Sequence, residues 1–372
     1  MSAVKRVRVA MIMAGGSGER FWPLSRRLRP KQLLGLTSPT RTLLEEAVSR
    51  IAPVVASRDV FIVTGRHLVA PIRKAETGVP RENVIAEPCK RNTSGALAYA
   101  AACMLSRYGT SPENITMAVT TADHAIGDPA LFQETVAAVL DLVEQENALA
   151  TLGIVPTRPE TGFGYIQIAP GAEPLIDGKI AIYPVTAFHE KPQRETAEEF
   201  VASGRYFWNS GMFFWRLSSF LEELDRVRPM LSDAVRRMTE AMNAGDDLGV
   251  HQIFDSLEDI SIDFALMEHA RRVVVARAEF PWDDVGAWST LDRTLAHDEQ
   301  GNVCVGEPVL VDCENCIVYN ESGGEKMAVG IIGCSDMIVV ATSDGVLVAP
   351  KERAQEVRRI VAALKDRGAE QI

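Results

Sequence analysis

The sequence predicts an α/β fold, a parallel sheet with crossover helices, followed by a small all-β segment. Three observations support this. Apolar, β-branched runs alternate with helically spaced segments between Val7 and Val155. A glycine-rich loop follows the first of those runs, where ligands of such sheets bind. From Gly301 onward, short β-rich runs separated by Gly, Asn or Asp recur every ~8–10 residues.

The elements follow in order. Val7 to Met13 is a short buried strand that ends in Gly15-Gly16. Leu43, Leu44, Ala47, Val48 and Ile51 have the spacing of one helix face. Asp59 to Thr64 is a second strand, and Ser94 to Tyr108 a helix with Ser94 near its start. Ile115 to Thr121 is a strand ending at Ala122-Asp123-His124. Phe132 to Val143 is helical and Ala148 to Val155 a strand. Phe163 to Trp215 is mixed, with antiparallel-looking strands and a helix near Thr196 to Ser203. Residues 217–270 are mostly helical. The runs 309–313, 316–320, 337–342 and 345–350 are the β-rich ones, closed by a helix at Glu352 to Lys365. The polar stretch Thr294 to Gly301 marks a boundary, dividing the chain into 1–290 and 291–372.

The 372 residues suggest two or three domains at ~150 residues each. Apolar residues at 47% and charged residues at 24% exclude a disordered or collagen-like chain. The apolar runs fall short of the ~18 residues that a membrane span needs. Lys5, Arg6 and Arg8 precede Val9 to Met13 as in a signal peptide, but the apolar part is too short and runs into Gly15-Gly16. A cytoplasmic protein with no membrane partner is expected. Six scattered cysteines argue against a disulfide framework.

The net charge of −11 excludes general nucleic-acid binding. Residues 1–41 nevertheless hold nine Lys/Arg and a single acid, Glu19. Such an island fits either a bound polyanion or a solvated basic edge. Gly15, Gly16 and Gly18 favour the first, because without Cβ atoms they let backbone N–H groups approach phosphate oxygens. Arg20 and Pro30-Lys31-Gln32 bring charge to the same place. The pattern is neither a Walker A loop nor G-x-G-x-x-G.

The segment Gly15-Gly-Ser-Gly-Glu-Arg-Phe-Trp-Pro-Leu, followed by Pro30-Lys31-Gln32, resembles the signature of sugar nucleotidyltransferases, in the form found in mannose-1-phosphate guanylyltransferases. Further matches run in family order: Glu87-Pro-Cys-Lys-Arg-Asn-Thr, Ala122-Asp-His, Gly162-Phe-Gly-Tyr-Ile, Phe188-His-Glu-Lys-Pro, Trp208-Asn-Ser-Gly and Trp282-Asp-Asp-Val-Gly. The resemblance implies a Rossmann-like, GT-A-like mixed-sheet catalytic domain carrying a short left-handed β-helix. It leaves no isomerase domain, such as bifunctional members carry, to be expected in these residues. The implied reaction joins GTP and mannose 1-phosphate to give GDP-mannose and pyrophosphate. A homodimer is expected, with the β-rich tail supporting the catalytic domain or an interface between copies.

The resemblance also implies roles. Arg20 and Lys31 would be the catalytic cations. Gly15, Gly16, Ser17 and Gly18 would hold the leaving phosphates. Glu87 would read guanine N1–H and N2–H₂, since a carboxylate can accept both. Asn92 and Thr93 would add polar contacts or merely cap the following helix. Asp123 would hold Mg²⁺ with Asp284 rather than Asp283, and two carboxylates beside phosphates suffice for that ion. On its residues alone, Asp123 would more often be a helix N-cap than a metal ligand. His124 is expected to be structural or a ribose neighbour. Gly164, Glu190, Lys191 and Asn209 would form the sugar-phosphate side. Trp208, Phe213, Phe214 and Trp215 are expected in the core. Cys313-x-x-Cys316 fits turning β-strands better than a metal site.

Two rival functions stay open: transfer to another sugar 1-phosphate, and a non-catalytic regulatory homologue that binds GDP-mannose. A hexapeptide acyltransferase tail is disfavoured, because it has few turns and no His follows His297.

Overall fold

The computed structural model describes residues 6–175, 179–321 and 327–372. Lys5, counted in the basic island, lies outside them. Strands β1 (Val7–Met13), β2 (Val60–Gly65), β3 (Val84–Glu87) and β4 (Ile115–Thr121) pair in parallel in the spatial order β3-β2-β1-β4. The interiors of β1, β2 and β4 are almost wholly buried, as expected of parallel strands covered on both faces. The covering helices are α1 (Leu43–Ile51), α2 (Val69–Lys74), α3 (Asn92–Tyr108) and α4 (Pro129–Gln145).

Local signals fix these helices. Thr42 and Glu45 form a capping box at the start of α1, with Glu45 N donating to Thr42 Oγ1 and Thr42 N to Glu45 Oε2. Asp128 caps α4 ahead of Pro129. The alanines on α3 let it pack closely on the sheet, and Gly109 at φ 52° ends it.

The second half of the sheet departs from the all-parallel pattern. It contains, after the two-residue β5 (Ala125–Ile126), strands β6 (Leu149–Ile154), β7 (Gly164–Ile168), β8 (Ile182–Glu190), β9 (Tyr206–Arg216) and β10 (Val273–Ala278). Helix α5 (Arg194–Ser203) lies between β8 and β9. The nine strands run β3-β2-β1-β4-β9-β6-β10-β8-β7. β9 is antiparallel to both β4 and β6, while β10 is parallel to β6. The parallel order expected for residues 7–155 holds, since β6 runs in the direction of β4 on the far side of β9, and the sheet as a whole is mixed, as the resemblance implies. It is mixed because β7 and β8 form an antiparallel pair before β9 enters. Apolar runs carry no direction, and one crossover helix per strand is what enforces parallel order.

Helices α6 (Leu217–Val227), α7 (Pro229–Ala244) and α8 (Asp247–Asp255), with a five-residue π turn at Asp263–Met267, cover one face of the sheet. β11 (Trp282–Asp283) pairs with β5, and the short α9 (Leu291–Thr294) follows. Then come β12 (Val303–Val305), β13 (Val309–Val311), β14 (Ile317–Asn320), β15 (Gly330–Ile332), β16 (Met337–Ala341) and β17 (Val346–Pro350). β12, β14 and β16 pair in parallel, as do β13 and β15, so the chain coils through two small sheets. That is a short β-helix, closed by antiparallel β17 and by α10 (Val357–Asp366).

A core cluster behind the glycine-rich loop positions the site. Phe21, Trp22, Leu24 and Leu34, which flank the glycine-rich loop, pack with Trp288 and with Ile338, Leu347, Val357 and Val361 of the C-terminal coil. Trp288 Nε1 donates to Trp22 O at 3.0 Å. The β-helix and α10 thus buttress the loop. Trp208, Phe213, Phe214 and Trp215 of β9 are all in the core. Cys313 and Cys316 are buried, and their thiols donate to backbone carbonyls of the coil. Among the described residues, no helix is long and apolar enough to cross a membrane.

Candidate active site

A cleft of about 750 Å³ opens at the carboxyl ends of β1, β3 and β4. Gly15, Gly16, Ser17, Glu87, Asn92, Thr93 and Asp123 line it. A Cβ on Gly15 or Gly16 would meet nothing within 4 Å, so both glycines face open space. The loop is pinned through the Ala14 carbonyl, which accepts from Gln32 Nε2 at 2.9 Å and Thr64 Oγ1 at 2.8 Å. Gly18 lies behind this wall at φ 62°, where a Cβ would be 2.4 Å from Lys31 Cβ. Its bare backbone lets the loop close onto Lys31.

Lys31 is 7% exposed. Its Nζ donates to Asp123 Oδ2 at 2.9 Å and to the Asp284 backbone oxygen at 2.5 Å. Arg20 points to the segment that follows Asp284, with Nη1 3.5 Å from Gly286 O, the long limit of hydrogen bonding. The glycine-rich loop, the end of β4 and the Trp282–Gly286 segment therefore meet at Lys31. Val285 holds φ 47°, a strained conformation for a β-branched residue. That backbone presents the Asp284 carbonyl to Lys31.

The carboxylates differ. Burial opposes the charge of Asp123, but the Lys31 ammonium beside it outweighs burial and holds its pKa below the usual range. Burial pushes Asp284 up to about 6, against the pull of Lys31. Asp283 is engaged elsewhere, accepting from Arg293 Nε at 2.7 Å and Val285 N at 2.8 Å. His124 accepts from Trp282 Nε1 through Nδ1 at 3.2 Å, and burial lowers its pKa to about 4. It is a neutral, fixed ring.

Glu87 ends β3, and burial raises its pKa to about 7. Among the described residues no side chain pairs with it. Asn92 sits at φ 54° and accepts from Thr93 N. Thr93 Oγ1 accepts from Ile262 N at 2.8 Å, tying the start of α3 to the π-turn segment.

The sugar-side candidates also gather. Gly164 and Glu190 are register partners on β7 and β8. A Cβ at Gly164 would be 2.7 Å from Glu190 Oε2 and 3.5 Å from Asn209 Cβ. Lys191 Nζ lies 2.9 Å from Glu190 Oε1. The Asn209 amide is locked, with Oδ1 accepting from Gly211 N at 3.1 Å and Nδ2 donating to Asp263 Oδ1 at 2.7 Å. A Cβ on Gly211 would be 4.0 Å from Thr121 Cγ2, and Thr121 lines the cleft at Gly15 and Gly16, so the two groups adjoin.

Some residues escaped the sequence analysis. Asp263, whose pKa burial raises, sits in a stretch whose spacing reads as helix. Arg158 stacks over Trp208 at 4.9 Å. Lys90, Arg91, Arg26, Arg27 and Lys365 join the cleft wall. Arg26 and Arg27 belong to the basic island, which was the available signal, whereas nothing in the sequence connects Lys365 to a loop more than 300 residues away.

The mixed sheet, the glycine-walled cleft and its Lys31–Asp123 base define a nucleotidyltransferase. The family model of nucleotidyl transferases matches residues 9–301, and that of the mannose-phosphate isomerase/GMP-like β-helix domain matches residues 306–364. The chain is 39% identical over 359 residues to a mannose-1-phosphate guanylyltransferase of Klebsiella pneumoniae, covering 95% of this chain and 73% of the relative. It is 38% identical to the Escherichia coli K12 protein of the same name, covering 96% and 73%. The crystal structure of a mannose-1-phosphate geranyltransferase from Thermus thermophilus superposes with a TM-score of 0.84 at 36% identity, over 96% of this chain and 99% of that one. The chain belongs to the mannose-1-phosphate guanylyltransferase family of nucleotidyltransferase enzymes.

Proposed function

We propose that the protein transfers GMP from GTP to α-D-mannose 1-phosphate, releasing pyrophosphate and forming GDP-mannose. One observation carries this reading. Lys31 joins the glycine-walled cleft to Asp123 and Asp284, next to a cluster of hydroxyl-binding groups at Glu190 and Asn209. A phosphate oxygen of mannose 1-phosphate attacks the α-phosphorus of GTP, and the bond to the β-phosphate bridging oxygen breaks. The attacking group is already anionic, so no general base is required, which agrees with a neutral, fixed His124. Catalysis then rests on alignment and charge neutralisation.

In this reading Gly15 to Ser17 receive the β- and γ-phosphates, and Gly18 lets that loop close onto Lys31. Arg20 and Lys31 offset the charge that develops as pyrophosphate leaves. Glu87, ionised, accepts from guanine N1–H and N2–H₂. Asn92 borders the base, and Thr93 fixes the start of α3 beneath it. Gly164 leaves room for the Glu190 carboxylate beside the sugar hydroxyls, Asn209 adds an amide, and Lys191 faces the sugar phosphate. The residues fit Mg²⁺. Asp284 is a carboxylate at low solvation, with no ion pair to a side chain among the described residues, and Asp123 lies across Lys31 from it. These two would hold the ion, which supplies neutralisation of phosphate charge.

The test is pyrophosphate release by purified protein with Mg²⁺, pairing GTP, ATP, UTP or dTTP with mannose 1-phosphate or glucose 1-phosphate. Release confined to GTP with mannose 1-phosphate is expected. Release with another pair would overturn the assignment of Glu87 or Glu190. Binding of GDP-mannose without release from any pair would favour the regulatory homologue.

A further inference from the structure

The nucleotide cleft is not built by the catalytic sheet alone. Val361 and Lys365 of α10 line it together with Gly15, Gly16 and Ser17. Two anchors hold the helix there. Val357 and Val361 are buried in the core shared with Phe21 and Trp22. Beyond the helix, the Gln371 carbonyl accepts from Trp22 Nε1 at 2.8 Å. Lys365 stands in the last turn of α10, and its Nζ lies 2.6 Å from Glu19 Oε1. Glu19 immediately follows the glycines.

Three of the other cations around the site already have partners within the protein. Lys31 is buried against Asp123 and the Asp284 carbonyl. Arg20 is turned to Gly286, and Arg26 is paired with Asp344 at 2.7 Å. The Lys365 side chain is 51% exposed and that of Glu19 36%. An ion pair so open to water is held weakly and can exchange its acceptor. A triphosphate on the glycine loop would offer a stronger one, because a phosphate concentrates more charge than a carboxylate.

From this placement we infer that Lys365 is a nucleotide-binding residue, leaving Glu19 to contact the terminal phosphates of the nucleoside triphosphate. The inference rests on the function proposed above. It gives the C-terminal segment a direct part in the site, since α10 carries a phosphate-binding cation that the catalytic sheet does not supply.

The experiment is equilibrium binding of GTP and of GMP, in the presence of Mg²⁺, to the wild-type chain and to Lys365→Ala, Lys365→Arg and Glu19→Gln. Lys365→Ala is expected to weaken GTP about tenfold, the effect of one charge-assisted hydrogen bond, and to leave GMP within twofold. Lys365→Arg should recover most of the loss. Glu19→Gln removes the ion pair but keeps the lysine, so GTP should bind as tightly as before or more so. Undiminished GTP binding by Lys365→Ala would overturn the inference. So would equal losses for GTP and GMP, or a loss in Glu19→Gln matching that in Lys365→Ala, because either would make the pair a brace for the loop. Wild-type protein that binds no nucleoside triphosphate would overturn the proposed function and this inference with it, an outcome distinct from the others.

Discussion

Lys31 Nζ lies 2.9 Å from Asp123 Oδ2 and closes the gap between the first loop of the sheet and the end of β4. A lysine this buried is stable as a cation only with partners, and it has a carboxylate and a carbonyl. We predict that Lys31→Met lowers kcat at least 100-fold, the scale of losing one preorganised charge at a reacting phosphate. Asp123 should then lose its stabilising cation, and its pKa should rise into or above the ordinary carboxylate range. Lys31→Arg should not rescue turnover, because the buried ammonium is held between Asp123 Oδ2 and the Asp284 carbonyl, a compact point-charge geometry that a longer, planar guanidinium does not reproduce. Steady-state kinetics with carboxylate titration by NMR check this. Wild-type turnover in Lys31→Met would refute it.

Glu87 predicts a pH dependence. Its pKa in the free protein is about 7, raised by burial. Guanine offers only donors to it, so GTP binds the ionised form and lowers that pKa. Affinity for GTP should therefore rise with pH through about 7 and level off above it, by up to tenfold per unit on the acidic side. Glu87→Gln should bind GTP more weakly and lose the pH dependence. Isothermal titration between pH 5.5 and 8.5 measures both. A slope that survives in Glu87→Gln would assign the titration to another group.

The adjacent acids Asp283 and Asp284 should separate by phenotype. Asp283 holds Arg293 and the Val285 amide, so Asp283→Ala should destabilise the fold by about 1–3 kcal/mol. Asp284 has a raised pKa, so its carboxylate is less stable in the folded chain than in water. Asp284→Asn should leave thermal stability unchanged or higher near neutral pH while reducing turnover at least 100-fold and weakening its dependence on Mg²⁺. Paired melting curves and kinetics decide it. The reverse pattern would move the metal assignment to Asp283.

The contrast between these two acids marks what a sequence can hold. Gly15 to Gly18, Arg20 and Lys31 were legible because their spacing after a strand is a local fact, and strand ends located Asp123 as well. The choice between Asp283 and Asp284 rested on resemblance, since nothing local distinguishes two consecutive acids. What separates them is Arg293 and the positive φ of Val285, both products of tertiary packing. Asp263 was hidden for the same reason. Its neighbours read as helix, and only the π turn brings it to Asn209, far from it along the chain. The direction of β9 was indicated only by the antiparallel-looking pattern of residues 163–215, because Phe213 to Trp215 would be as apolar running either way. Lys365 reaches the cleft only through the core shared by Trp22 and Val361.

Asp263 should act as a positioning residue for Asn209. Asp263→Asn preserves shape but loses the charge that holds the Asn209 amide, and should raise KM for mannose 1-phosphate about five- to twentyfold while moving KM for GTP less than twofold. Equal changes in both constants would indicate a general structural defect instead.

The glycines give the sharpest division between folding and function. At Gly18, alanine must adopt φ 62° and its Cβ must sit 2.6 Å from Lys31 N, a contact with backbone that cannot swing aside. Left-handed backbone alone costs about 1–2 kcal/mol for alanine. Gly18→Ala should therefore melt earlier and lose activity together, by displacing Lys31. At Gly15 and Gly16 the added methyl meets no protein atom and enters the cleft. Gly15→Ala and Gly16→Ala should melt within a degree or two of wild type, yet bind GTP at least tenfold more weakly, because the methyl occupies the approach of the phosphates to the backbone. Differential scanning calorimetry beside nucleotide titration resolves the two classes. Tight GTP binding by Gly16→Ala would show that the phosphates lie away from this loop.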